Sequence, residues 1–167
     1  MVSRILDRLM TVIERTLAYG FIAAVSLNFI NVVGRYGFGI TILSADEIQI
    51  FIMVFMAFLG AAVVAWHDRH LRMDVIVNAL PMPLRQAVRM LELIVVAILA
   101  AFVLWNSSYY VKQMFVFGRV SDMARVPMWI PHGAVALGFG LIMLIACLRI
   151  VQLVTAWADA GESSRER

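Results

Sequence analysis

Four stretches of this chain, residues 16–34, 48–66, 93–111 and 126–148, contain no Asp, Glu, Lys or Arg. Within each, apolar side chains follow one another without the every-other-residue alternation of a barrel strand. At a rise of about 1.5 Å per residue, each stretch is long enough to cross a hydrocarbon core about 30 Å thick as a helix. Lipid offers no partner for a free backbone group, so the pattern predicts an all-α polytopic membrane protein with four transmembrane helices. Before the first span, Ile5, Leu6, Leu9, Met10 and Ile13 recur at helical spacing among Arg4, Asp7, Arg8, Glu14 and Arg15. Such a segment either lies in the membrane interface as an amphipathic helix or extends helix 1 into water. In the middle loop, Leu71, Val75, Ala79 and Leu80 form a second apolar stripe, ended by Pro81 and Pro83. From Ala158 onward, Gly161, Ser163, Ser164 and mixed charges leave too little apolar surface for order. Residues 158–167 therefore read as a flexible cytoplasmic tail on a single membrane domain, 1–157.

Local signals sharpen two helix starts. Ser44 with Glu47 three residues on, ahead of an apolar run, has the pattern of a capping box. Asp46 and Glu47 then fall in the first turn of helix 2, where the positive end of the helix dipole favours acids. Pro127 and Pro131 stand at the entrance of helix 4, where the early amides need no intrahelical partner.

Composition agrees with the pattern: 63% of residues are hydrophobic and 15% charged, against roughly 25% charged in soluble domains. The distribution of basic residues adds orientation. Ten of the 14 Lys and Arg lie in the N-terminal segment (Arg4, Arg8, Arg15), the middle loop (Arg69, Arg72, Arg85, Arg89) and the tail (Arg149, Arg165, Arg167). The two other loops hold Arg35, Lys112, Arg119 and Arg125. Cytoplasmic loops carry the excess of positive charge, so both termini and the middle loop are expected inside. Trp66 and Trp157 then fall near the inner interface, and Trp105, Tyr109, Tyr110 and Trp129 near the outer one, as aromatic belts require. A cleaved signal peptide fits poorly, because the first uncharged run is longer than the usual core of 7–15 residues. No basic run interleaved with aromatics points to nucleic acid.

Candidate chemistry is sparse. The spans hold no charged residue of the kind that ion-coupled carriers keep at mid-membrane. Asn28, Asn31 and Arg35 share one face of helix 1; Asn28 and Asn31 are expected to make interhelical hydrogen bonds. Small residues four apart (Ala57/Ala61, Ala61/Ala65, Ala134/Gly138, Ala136/Gly140) predict close helix packing. His67 and His70 lie at the opposite side of the membrane from His132, which argues against a shared haem. With Asp68 and Asp74 the first two histidines form only a weak metal pattern and read as interfacial loop residues. Hydrolase, metalloprotease and nucleotide-binding motifs are absent, and Cys147 reads as packing. No catalytic, metal or cofactor site is expected, and the chain reads as a non-enzymatic scaffold or accessory subunit.

The run NVVGRYGFG (Asn31 to Gly39), with SADEIQIF (Ser44 to Phe51), FLGAA (Phe58 to Ala62), HDRHLRMDVI (His67 to Ile76) and VPMWIP (Val126 to Pro131), resembles the small membrane subunit of tripartite ATP-independent periplasmic (TRAP) transporters. The likeness extends in order from about Ile5 to Val154. It implies a multi-pass subunit of the bacterial inner membrane that supports a large membrane subunit in sodium-driven uptake of an organic acid. A periplasmic substrate-binding protein is the third member of such a complex. Arg35, Tyr36, Asp46, Glu47, His70, Asp74, Pro127 and Pro131 match the family pattern as structural or partner-contacting positions. Asp46-Glu47 stands where the family often has paired glutamates. Arg119 and Arg125, with the other charges of the outer loops, either help dock the binding protein electrostatically or only set topology and anchor headgroups. A self-contained small transporter and the membrane anchor of a redox complex are the competing classes.

Overall fold

The computed structural model describes residues 2–67 and 81–163; His70, Asp74 and the apolar stripe of the middle loop lie outside them. Four helices follow in order: α1 (Val2–Val33), α2 (Ala45–Trp66), α3 (Met82–Val116) and α4 (Trp129–Ser163). All four are long and apolar enough to span a membrane. At about 1.5 Å per residue the 22 residues of α2 match one bilayer crossing, whereas α1 (32 residues) and α3 and α4 (35 each) are longer than the hydrocarbon core requires. The N-terminal amphipathic segment is thus part of helix 1. Leu6 and Met10 are buried, and Met10 packs with Val63, Ala65 and Ile145. α4 runs on to Ser163, past the point where composition predicts a flexible tail. Ala158 and Ala160 are strong helix formers, so the intrahelical bonds continue there.

Among the described residues, α1 packs on α2, α2 on α4, and α4 on α3. The helices therefore lie in one layer in the order α1, α2, α4, α3. The burial pattern explains why. In α1 the only described side chains not exposed are Leu6, Met10, Ile13, Leu17, Gly20, Ala24, Leu27 and Asn31, at alternating spacings of four and three. α3 does the same along Met90, Leu93, Ala97, Ala100, Leu104, Ser107, Val111 and Met114. A seam repeating every 3.5 residues keeps facing one neighbour if the pair winds gently around itself, the geometry of coiled-coil packing. One seam suffices for one neighbour, and α1 and α3 are the edges.

The inner helices invert the pattern. α2 exposes only a stripe of Asp46, Ile50, Met53, Ala57 and Val64. Between Pro131 and Ile150, α4 exposes only Leu137, Leu144 and Cys147. Backbones come closest where α4 crosses α2: a Cβ on Gly138 would sit 2.6 Å from the Phe58 carbonyl oxygen, and Phe58 and Phe139 rings pack 5.8 Å apart beside it. Ala134 and Gly138 thus face a helix partner. Ala57 does not, because it falls on the exposed stripe of α2.

At the end of the layer where α1 begins, the Trp66 indole N–H donates to Asp7 Oδ1 (2.9 Å) and the Arg149 guanidinium donates to the Trp66 carbonyl (2.9 Å). These two bonds tie α1, α2 and α4 together above the Met10 cluster. The far end, where α2 begins, carries the loops that join α1 to α2 and α3 to α4.

Candidate functional site

The α1–α2 connection is built by the NVVGRYGFG run. Beyond Val33 the helix widens into a π-helical turn, Gly34–Phe38, that ends on Gly39 with φ +68°. The chain then folds back so that the Ile40 amide donates to the Gly34 carbonyl (2.9 Å). A Cβ on Gly34 would meet the Ile40 carbonyl oxygen at 2.9 Å, so the turn needs a residue without one. Asn31, only 4% exposed, accepts the Ile42 amide on Oδ1 (2.9 Å). Asn28, one turn earlier, donates across the helix pair to Gln49 Oε1 (3.0 Å). Arg35 and Tyr36 stand exposed on the turn, Tyr36 at 83%.

α3 ends in a Schellman motif. Gly118 (φ +57°) donates to the Phe115 carbonyl (3.2 Å), and Arg119 to that of Met114 (3.3 Å). From there residues 119–128 form a tight hairpin. The Ser121 amide donates to Val126 O, and the Met128 amide to Arg119 O, each at 2.9 Å. A bridge pairs Val120 with Pro127. The Ser121 hydroxyl accepts the Val126 amide (3.2 Å), and Arg125 turns the tip with φ +54°. Pro127 is therefore the hairpin's closing residue, outside the helix, while Pro131 sits buried in the first turn of α4.

Glu47 joins the two loops. Its carboxylate accepts the Met123 amide on both oxygens (3.1 Å each) and the Ala124 amide on Oε2 (2.7 Å). The expected capping box does not form: Ser44 makes no side-chain cap bond. The Glu47 carboxylate reaches the hairpin instead, and the Ala45 amide donates to the Ile42 carbonyl (3.1 Å) just ahead of the helix. Consecutive amides converging on one anion are a strong, charge-assisted arrangement. Its Glu47 component was visible in the sequence, but the partners lie 76 and 77 residues away in the chain, and backbone amides carry no sequence signature.

Around this strut Arg35, Asp46, Lys112, Arg119, Asp122 and Arg125 are exposed. Arg119, Asp122 and Glu47 line a cleft of about 310 Å³, floored by Ile50, Phe51 and Met114. His132 packs edge-on to Tyr110 (6.5 Å) in the α3–α4 seam, and the His67 Nδ1 lies 3.0 Å from the Val63 carbonyl at the opposite end. The two histidines are thus in separate environments. Among the described residues no group of His, Cys, Asp and Glu has metal-binding geometry. The arrangement holds loops in place and presents charge.

Comparison with known proteins gives a consistent result. The family described as tripartite ATP-independent periplasmic transporters, DctQ component, matches residues 16–156. The chain is 28% identical over 135 residues to the ectoine TRAP transporter small permease protein TeaB of Halomonas elongata, covering 80% of this chain and 70% of that one. It is 29% identical over 124 residues to the C4-dicarboxylate TRAP transporter small permease protein DctQ of Rhodobacter capsulatus, 74% of this chain and 53% of that one. The isethionate TRAP transporter permease protein DctMQ of Oleidesulfovibrio alaskensis is 26% identical over 97 residues, which are 58% of this chain but 15% of that one.

Proposed function

The chain belongs to the DctQ component family of tripartite ATP-independent periplasmic transporters, and on that footing we propose that it supports a large membrane subunit during sodium-driven uptake of an organic acid. It is a small permease subunit and a multi-pass inner-membrane protein. The observation that carries the proposal is the single helix layer. A translocation path needs a lumen or two bodies that move against each other, and four helices side by side enclose no lumen. Their broad apolar faces instead suit a scaffold added to a larger membrane protein. DctMQ supports the same partner, since there a segment like this chain is a small part of one much longer permease.

Both termini face the cytoplasm in this reading, which puts the Glu47 end in the periplasm. There the substrate-binding protein docks on the charged loops, with the Glu47 strut fixing the hairpin that bears Arg119 and Arg125. The relatives are named for ectoine, C4-dicarboxylates and isethionate; with such different solutes among relatives of similar identity, the choice of solute belongs to the other two subunits. Charge reversal at Arg119 and Arg125 tests the docking role. Uptake should slow, and the defect should change with ionic strength, because steering between exposed charges is screened within about 8 Å at physiological salt. Uptake that is unchanged across ionic strength contradicts it.

A further inference from the structure

The first turns of α1 continue the helix instead of folding onto the membrane surface, because Met10 is fully buried and the Trp66 indole holds Asp7. Arg4, Arg8 and Arg15 are all exposed there. Spaced four and seven residues apart, they fall within about 40° of one another around the helix. Leu6, Met10, Ile13 and Leu17, the seam that packs on α2, lie on the opposite side. None of the three arginines makes an ion pair among the described residues. Thr11, on the same face, spends its hydroxyl on the Asp7 carbonyl (2.8 Å), and Glu14 lies about 100° away around the helix. Beyond Arg15 the arginine face turns apolar, with Tyr19 and Ile22 exposed.

The depth of this face follows from α2, whose 22 residues match one bilayer crossing and end at Trp66. Trp66 stands beside Asp7, and Gly60 stands beside Leu17. Arg15 is therefore level with the last two turns of α2, about 6 Å inside the hydrocarbon edge at 1.5 Å per residue. Helical side chains lean toward the N-terminus, so Arg15 reaches up to the headgroup level, where Arg8 and Arg4 already stand. A guanidinium at that depth on an exposed face needs an anion that its own helix does not supply.

We propose that the Arg4, Arg8 and Arg15 face of α1 binds the phosphate of an anionic phospholipid, whose acyl chains lie along Tyr19 and Ile22. The site is independent of the scaffold function above. One continuous face changes from basic to apolar at the membrane edge, and an acidic lipid has the same order of chemistry: an anionic head above hydrocarbon chains. Arginine suits the phosphate, since its planar fork of donors matches the phosphate oxygens two at a time. Soluble phosphate or an acidic protein loop meets the guanidiniums but leaves Tyr19 and Ile22 without a partner.

Native mass spectrometry of the full chain, alone and co-purified with the large subunit, in equal amounts of dioleoylphosphatidylglycerol and dioleoylphosphatidylcholine tests the site. Preferential retention of the phosphatidylglycerol is expected. Arg8→Gln with Arg15→Gln should reduce that preference about fivefold per arginine, the value of one basic residue near an anionic surface. Arg8→Lys with Arg15→Lys should keep most of it, and Arg165→Gln with Arg167→Gln should leave it unchanged. A phosphatidylglycerol with a photoreactive diazirine in its headgroup should label residues 4–19 of the unmodified chain, and excess glycerol 3-phosphate should not compete. Equal retention of the two lipids, an equal loss in the tail variant, labelling elsewhere on the chain, or competition by the soluble phosphate overturns the inference. A benzoylphenylalanine at position 22 should label lipid in the complex; labelling of the large subunit instead shows that protein covers this face and also overturns it. The labelling of the unmodified chain decides the matter even if the glutamine variant fails to fold.

Discussion

Glu47 shows how one side chain fixes loop geometry at a distance. Its carboxylate gathers the amides of Met123 and Ala124, so the hairpin between α3 and α4 is held by α2. Glu47→Ala should leave the helices formed but speed amide hydrogen exchange at Met123 and Ala124, while Asp46→Ala, on the exposed neighbour, should leave those amides protected. Equal protection in both variants contradicts the strut. Gly138 is the complementary case, where the absence of a side chain matters. Gly138→Val pushes a Cβ into the Phe58 backbone, and overpacking of this kind costs about 1–3 kcal/mol, occasionally more. Gly140→Ala meets only Leu104 at 3.7 Å and should be close to neutral. Thermal unfolding of the detergent-solubilised chain separates the two.

At the scale of elements, the helices were legible from charge-free windows, but their arrangement was not. The windows understate α1 and α3 because a window of uncharged residues stops at Arg15 or Glu92, while a helix continues through charges that water or headgroups solvate. The 3.5-residue seams are written in the sequence as Leu6, Met10, Ile13, Leu17, Gly20, Ala24, Leu27 and Asn31. They are masked because in a membrane the surrounding positions are apolar as well, so hydrophobicity alone does not single out a packed face. Small and polar members of the seam, Gly20, Ala24 and Asn31, are the better signal. The capping pattern at Ser44 misled for a related reason: a local motif and a distant hairpin compete for the same carboxylate, and only the fold decides. Leu17, packed beside Gly60, and Ile22, 60% exposed, give the seam a direct test. Leu17→Ala should lower stability by a fraction of the 2–5 kcal/mol seen in water-soluble cores, since lipid removes most of the transfer share. Ile22→Ala should have little effect. Equal losses at the two sites contradict the seam.

At the scale of the molecule, the low charge content and the open layer describe one property. Under the proposed function, spans without charge and a layer one helix thick belong together. Each edge helix leaves most of its surface to lipid or to another protein, as the proposed supporting role requires. The family relation was legible from short runs such as NVVGRYGFG, whose role is now physical: Asn31 holds Ile42, Gly34 admits the Ile40 carbonyl, and Gly39 takes the left-handed turn. The central claim is that this chain does not transport by itself but is needed by the subunit that does. Proteoliposomes containing this chain, the large subunit, or both, supplied with binding protein, an organic acid and an inward sodium gradient, test it most directly. Uptake only when both membrane subunits are present is the predicted result; uptake by this chain alone, or by the large subunit alone at the rate of the pair, contradicts it.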